Sequence, residues 1–305
     1  MKILVTGAGG FIGGYTARKL NELGHEVIVN DFTEKLSDYS NEFTVIGFDF
    51  SEYSNFKKLP KDIDIIFHIG AQSAGYIGLV NPEKDVHWNI VGTLNVCRFA
   101  KETGVKKIIY TSSMSVYGNG DSLTENSKIN PLSNYGISKY TGELYLKQFK
   151  NYGVDYTIFR LFNVYGPGQD MKNLKQGMAS IFLAQAITSK DIKVTGSLER
   201  YRDFVNIADV FSALKLAIDG LSEETINVCS GEKTTVRELL KIIFDVHDDS
   251  IDSFNVENVG AYDGDQFGTI GVNSKLKSLG WNNKYNINSG IKEFYDSIKG
   301  EFNEK

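Results

Sequence analysis

The chain is poor in proline and cysteine. Four prolines in 305 residues leave little scope for a proline-rich linker or recognition arm. Two cysteines, Cys97 and Cys229, stand far apart with no CxxC pair. That excludes a disulfide framework and a thiolate metal site, and it fits a reducing compartment. The histidines, His25, His68, His87 and His247, are scattered without metal-ligand spacing, so no metal is expected. Positive charge is not in excess. With 33 Lys and Arg against 38 Asp and Glu the formal charge is −5, which argues against a broad nucleic-acid surface. No uncharged apolar run reaches the ~20 residues of a membrane span. Residues 3–17 follow Lys2 and faintly resemble a signal peptide, but Gly7, Gly9, Gly10, Gly13 and Gly14 make a poor apolar helix. No membrane partner is expected, and the cytoplasm is the expected location.

Glycine, by contrast, is abundant at 30 residues, and a hydrophobic content of 41% excludes disorder. The first half alternates short apolar runs with helical patterns. Strands are expected at 2–6, 26–30, 43–46, 63–68, 107–111 and 156–161, and helices at 11–23, 83–103 and 133–151. Such alternation implies an α/β fold, a doubly wound parallel sheet with helices on both faces. After about residue 166 the rhythm loosens, with helices expected at 177–188, 208–219, 236–247 and 288–299. The expected division is a cofactor domain over 1–166 and a smaller substrate-binding region over 167–305, interleaved with the first.

The first strand runs into TGAGGFIG at 6–13. Gly7 permits the turn out of the strand, Gly10 lets backbone approach a pyrophosphate, and Gly13 lets the helix pack close to the sheet. The N–H groups at the start of that helix, at Phe11 and Ile12, suit a phosphate. Such a triplet is weak alone; the strand before it and the helix after it give it weight. Asp31, at the end of the second strand, can accept from ribose hydroxyls and repel a 2′-phosphate, which predicts NAD rather than NADP. Asp49 and Phe50, after the third strand, are expected to bracket the adenine.

Tyr135 and Lys139 stand four apart on one helical face, in YGISK. A nearby ammonium stabilises a phenolate and lowers the pKa of a tyrosine. Many amphipathic helices carry such a pair, but TSSMSVYG at 111–118, at the carboxyl end of a buried strand, puts a serine where ligands of open α/β sheets bind.

With HIGAQ at 68–72, NIVGT at 89–93, RLFNVYGPG at 160–168, RDFVNIADV at 202–210, NVCSGE at 227–232 and GDQFG at 264–268, the sequence resembles a known family over nearly its whole length. This is the extended short-chain dehydrogenase/reductase family, specifically its NAD-dependent epimerase/dehydratases of nucleotide sugars, and most closely UDP-glucose 4-epimerase-like members. The resemblance implies a Rossmann sheet and roles for single residues. Ser113 and Tyr135 would share the substrate oxygen, with Tyr135 as acid/base and Lys139 holding the nicotinamide ribose. Asn89 and the segment Ile69, Gly70 and Ala71 would support the cofactor. Asn163, Arg202 and Asp265 would contact the nucleotide-diphosphate sugar. A homodimer would form through the helices near 89–103 and 135.

Five positions depart from the family pattern. Met114 and Ser115 stand where dehydratases carry an Asp-Glu pair and decarboxylases a glutamate. Tyr262 replaces an arginine that binds diphosphate in many epimerases, and Ser73 replaces a lysine of some galactose epimerases. Thr269 stands where hexose-restricted members carry a tyrosine, and it leaves space for an N-acetyl group. The expected activity is inversion of C4 of a UDP-hexose or UDP-N-acetylhexosamine by transient hydride transfer to bound NAD. The alternative is a nucleotide-sugar 4-ketoreductase or dehydrogenase using the same residues. A dinucleotide-sensing protein without catalysis would be marked by a degraded Tyr135 or Lys139, and both are intact.

Overall fold

The short apolar runs of the first half pair into one sheet. In chain order the elements are β1 (Lys2–Thr6), α1 (Phe11–Glu22), β2 (Glu26–Asn30), β3 (Thr44–Val45), β4 (Ile65–His68), α2 (Gly75–Val80), α3 (Pro82–Lys84), α4 (Gly92–Thr103) and β5 (Lys107–Ser113). There follow β6 (Gly120–Leu123), α5 (Asn134–Phe149), β7 (Asp155–Leu161), β8 (Asn163–Tyr165), α6 (Met178–Thr188), β9 (Asp191–Thr195), β10 (Tyr201–Arg202), β11 (Phe204–Asn206) and α7 (Ile207–Lys215). The last are β12 (Glu224–Val228), β13 (Thr234–Thr235), α8 (Val236–Val246), β14 (Asn255–Gly260), β15 (Gly268–Gly271), α9 (Ser274–Ser278) and α10 (Ile287–Phe302). This computed structural model describes residues 1–73, 75–174, 176–247, 253–260 and 266–302.

The chain forms two units. The first takes Met1–Val116, Ser133–Arg160 and Ala213–Ile226; the second takes Tyr117–Leu132, Leu161–Ser212 and Asn227–Lys305. A single cut at residue 166 therefore does not describe the division. β6 leaves the first half for a sheet of the second unit, while β12 is drawn back to the edge of the first sheet.

The first unit holds a seven-stranded sheet in the order β12-β7-β5-β4-β1-β2-β3. The pairs from β3 through β5 are parallel, and Thr6 stands in register with His68. Ile3, Leu4, Val5, Ile66 and Phe67 are fully buried, as strands covered on both faces require. The strand order reverses between β1 and β4, so a crevice opens at the carboxyl ends of these two strands.

The expected helix over 83–103 is interrupted. Between α3 and α4 the residues Asp85–Val91 form a π-turn. Hydrophobic spacing does not report the one extra residue such a turn inserts. The Thr93 hydroxyl donates to the Asn89 carbonyl at 2.7 Å. Its only proton is then spent, so His68 Nε2 donates to Thr93 Oγ1 at 2.9 Å and His68 Nδ1 accepts from Thr6 Oγ1 at 2.8 Å. Thr6 Oγ1 accepts in turn from the Gly70 N–H at 3.1 Å. The expected helix over 208–219 is also shorter: after Lys215, the N–H groups of Leu216, Ala217 and Ile218 turn to carbonyls three residues back.

α5 begins on a Ser133 cap that accepts from the Gly136 N–H. Glu143 on this helix forms a bidentate pair with Arg160 of β7, at 2.9 Å and 2.7 Å, and accepts from Ser112 at 2.6 Å. In the second unit, β13-β10-β15-β6 form one sheet, while β11-β8 and β14-β9 form two short ones. Its core gathers Phe182, Leu183, Ile192, Phe204, Leu239, Ile243 and Phe294.

Two predictions concern stability. Arg160→Leu leaves Glu143 buried and unpaired, and denaturant unfolding should show a loss of about 3–5 kcal/mol, smaller when Glu143→Leu is added. Burial, reinforced by the Lys139 charge, pulls His68 down from 6.5 to about 3. Below 6.5 the unfolded chain takes up a proton that the folded chain refuses, so stability falls as pH falls. Between pH 7 and pH 4 this amounts to about 3 kcal/mol. Urea unfolding of His68→Gln should show that much less loss over the same interval.

Candidate active site

Glycine is obligatory where β1 meets α1. Gly7 takes φ +72°, and a Cβ there would lie 2.5 Å from the Gly70 Cα. A Cβ on Gly13 would lie 2.0 Å from the Gly7 carbonyl oxygen. Gly10 caps α1 without any side-chain hydrogen bond, which leaves the first N–H groups of the helix, at Phe11 and Ile12, to an anion. Asp31 is buried at the end of β2; its oxygens accept from the Gly9 N–H at 3.1 Å and the Phe32 N–H at 2.8 Å. Burial raises its pKa, and the Lys35 ammonium, 3.9 Å away, opposes that rise. A glycine turn, an uncapped helix start and a carboxylate at the end of the second strand are the features a dinucleotide requires. The residues fit NAD.

Asp49 and Phe50 lie on the following loop. Asp49 Oδ1 accepts from the N–H and hydroxyl of Ser51, and Oδ2 from Trp88 Nε1 at 3.3 Å. The Phe50 ring is core: it fills space left by Gly70 and Gly92 and meets His68 edge-on, with centroids 5.5 Å apart. Asn95, which sequence reasoning passed over, clamps this loop by donating to the carbonyls of Phe50 and Ser51.

Asn89 sits in the π-turn. Its Oδ1 accepts from the Gln72 N–H at 2.7 Å, and its Nδ2 donates to the Gln72 carbonyl, Asp85 Oδ1 and Ser138 Oγ at 2.9–3.0 Å. These bonds hold the segment after β4, with Ile69, Gly70 and Ala71, against α5. Gln72, Asp85 and Ser138 were not foreseen. Asp85 stands one turn before Asn89, a spacing that could have flagged it.

Ser113 closes β5, and Tyr135 and Lys139 lie in the first turns of α5. Tyr135 is partly exposed, yet its hydroxyl is desolvated enough to push the pKa up to about 12; its hydrogen bond with Ser113 draws it partly back, and Asp85 adds to the rise. Burial drives Lys139 down to about 7 against the opposing charges of Glu143 and Asp85. Its ammonium lies 4.2 Å over the ring of the buried Tyr110. Desolvation is thus the largest influence on Tyr135. A serine and a tyrosine sharing one oxygen, with a lysine on the same helical face, can take a proton from a hydroxyl and return it.

Met114 is buried, and the Ser115 hydroxyl accepts from Ser113 at 3.2 Å. In the second unit Asn163 donates to the Asp203 carbonyl at 3.1 Å, and Arg202 donates to the carbonyls of Tyr201 and Phe267. Asp203 is buried and accepts from Ser230, Gly231 and Gly271. Thr269 is fully buried in β15, in register with Arg202. Asp265 and Tyr262 lie outside the described residues. Among the described residues no group of His, Cys, Asp and Glu could hold a metal, and no helix is long and apolar enough to cross a membrane.

Residues 3–229 match the model of the NAD dependent epimerase/dehydratase family. A putative UDP-glucose 4-epimerase of Methanocaldococcus jannaschii is 33% identical over 97% of this chain and 98% of its own. The UDP-glucose 4-epimerase of Thermotoga maritima, solved with UDP-glucose, is 30% identical, covers 99% of both chains and superimposes with a TM-score of 0.89. That of Thermus thermophilus, solved with NAD, is 26% identical with a TM-score of 0.90 over 98% of this chain and 99% of its own. Relatives also include a UDP-glucuronic acid decarboxylase of Arabidopsis thaliana, at 27% identity over 99% of this chain and 70% of its own. A dTDP-glucose 4,6-dehydratase of Streptomyces venezuelae is 25% identical with a TM-score of 0.89, over 98% of this chain and 97% of its own. Sheet order, glycine turn, Ser-Tyr-Lys constellation and these likenesses agree: the chain is an enzyme of the NAD dependent epimerase/dehydratase family.

Proposed function

We propose that this enzyme is a nucleotide-sugar 4-epimerase, inverting C4 of a UDP-hexose or UDP-N-acetylhexosamine. One observation carries this reading within a family that also holds dehydratases and decarboxylases. After Ser113 stand Met114, a buried thioether, and Ser115, whose hydroxyl is engaged with Ser113. Neither supplies a carboxyl to expel a leaving group, and epimerisation needs none.

The first unit binds the cofactor through Gly7, Gly10, Gly13, the N-terminus of α1 and Asp31. When bound, NAD supplies a reversible hydride acceptor. The side chains supply the rest. Tyr135 takes the proton of the sugar 4-hydroxyl and holds it at Oη until it is returned; Ser113 hydrogen-bonds the same oxygen and orients it. Lys139 holds the nicotinamide ribose. In the second unit Asn163 and Arg202 are the proposed contacts to the diphosphate, with Asp265 as a further contact to the sugar nucleotide. A homodimer with a cytoplasmic location completes the reading. Ile137 and Leu144, seven apart on α5 and about half exposed, are the apolar residues that we assign to the dimer contact on this helix.

Incubation with UDP-, GDP-, CDP- and dTDP-sugars, followed by NMR, should show a C4 epimer without net NADH. Linear accumulation of NADH, or stoichiometric consumption of it, with no epimer would instead establish the ketoreductase or dehydrogenase alternative. Tyr135→Phe should lower kcat by about 10²–10⁴. Light scattering should report a dimer, and Ile137→Glu with Leu144→Lys should shift it to monomer.

A further inference from the structure

One buried carboxylate has no part in the chemistry just described. Asp85 opens the π-turn and is 1% exposed. Its Oδ1 accepts from Gln72 Nε2 at 2.9 Å and from Asn89 Nδ2 at 3.0 Å. Its Oδ2 has no hydrogen-bond partner among the described residues. That oxygen lies against Gly78, where a Cβ would approach it to 2.0 Å, so the backbone is built to leave it room. Two bonds further along, Asn89 donates to Ser138 and Ser138 donates to the Tyr135 carbonyl at 2.9 Å. The carboxylate is thus tied rigidly to the first turn of α5.

Burying a half-satisfied carboxylate is costly, and a loop clamp does not require it, since a neutral amide would accept the same two bonds. We propose that Asp85 is a positioning residue: a fixed negative charge behind α5 that sets the pH window in which the Tyr135–Lys139 pair works. This rests on the reading of that pair given above. Asp85 acts on both Tyr135 and Lys139; the other groups around Lys139 are Glu143 of α5, His68 of β4 and Tyr110 of β5. His68 stays neutral, and Glu143 is already neutralised by Arg160. Asp85 is therefore the carboxylate of this group without a cation bonded to it. A negative charge makes proton loss harder at both Tyr135 and Lys139. It opposes part of the proton loss that burial imposes on the Lys139 ammonium, and it holds the phenol protonated until substrate and cofactor change its surroundings. The carboxyl itself, pushed up to about 6 by burial, is ionised at neutral pH and loses its charge in mild acid.

The test compares wild type with Asp85→Asn, with Asp85→Ser as a second neutral variant should the first fold poorly, and with Asp85→Glu. Tyr135 ionisation is read as ultraviolet tyrosinate absorbance, each protein minus its Tyr135→Phe counterpart. The pH profile of kcat/KM is read with UDP-glucose and UDP-N-acetylglucosamine. In the neutral variants the Tyr135 midpoint and both limbs of the profile should move to lower pH by about one unit, and Asp85→Glu should restore them. A purely structural role would lower kcat or stability and leave midpoint and limbs in place, which would overturn the inference. The two claims fail separately. Full turnover by Tyr135→Phe would remove the proton-transfer reading while a shifted tyrosinate midpoint still stood. An unshifted midpoint beside an inactive Tyr135→Phe would remove the Asp85 inference alone.

Discussion

The side-chain amide of Asn89 ties together three segments that the chain supplies separately. It accepts from and donates to the backbone of Gln72, which follows β4, and it donates to Ser138 on α5 and to Asp85 one turn back. An aliphatic side chain there would strand a backbone N–H, a carbonyl and a carboxylate in a dry interior. The π-turn is what lets one helix aim both Asp85 and Asn89 inward, and the Thr93 hydroxyl meets the Asn89 carbonyl that the irregular turn leaves to it. The segment after β4 is thus organised against α5 by polar satisfaction within the core.

Around that knot the electrostatics are those of a dry site. Tyr135 is driven up and Lys139 down, so each is favoured in its neutral form until something polar arrives. Lys139 shares its surroundings with a neutral His68, a buried Tyr110 and the paired Glu143. Such a pair is responsive: a bound cation or a hydroxyl in hydrogen-bond reach changes its protonation far more than it would in water.

Much of this was legible in the sequence because backbone sterics and helix geometry leave few alternatives. Gly7 and Gly13 had to be glycine, and a Tyr and a Lys four apart had to share a face. The doubly wound sheet followed from alternation of element types. What stayed hidden depends on partners distant in the chain. The Thr6–His68–Thr93 chain joins residues 62 and 25 positions apart. Asp85 acquires meaning only through a π-turn that hydrophobic spacing cannot register. The packing of the Phe50 ring beside Gly70, Gly92 and His68 likewise joins distant positions. The rise at Tyr135 was hidden because spacing shows a neighbouring charge but not how much water is lost.

The order of strands has a consequence for a chain leaving the ribosome. β7 ends at Leu161, but its outer neighbour β12 begins at Glu224, about 60 residues later. At ordinary elongation rates the open edge of β7 waits about 3–13 seconds for its partner. Lys107, buried in the finished sheet, likewise waits for the carbonyls of Ala217 and Leu221 to receive its ammonium. A nascent chain therefore carries an apolar sheet with an unprotected edge while much of the second unit is being made. That interval, rather than the finished molecule, is where this topology is most exposed to edge-to-edge association.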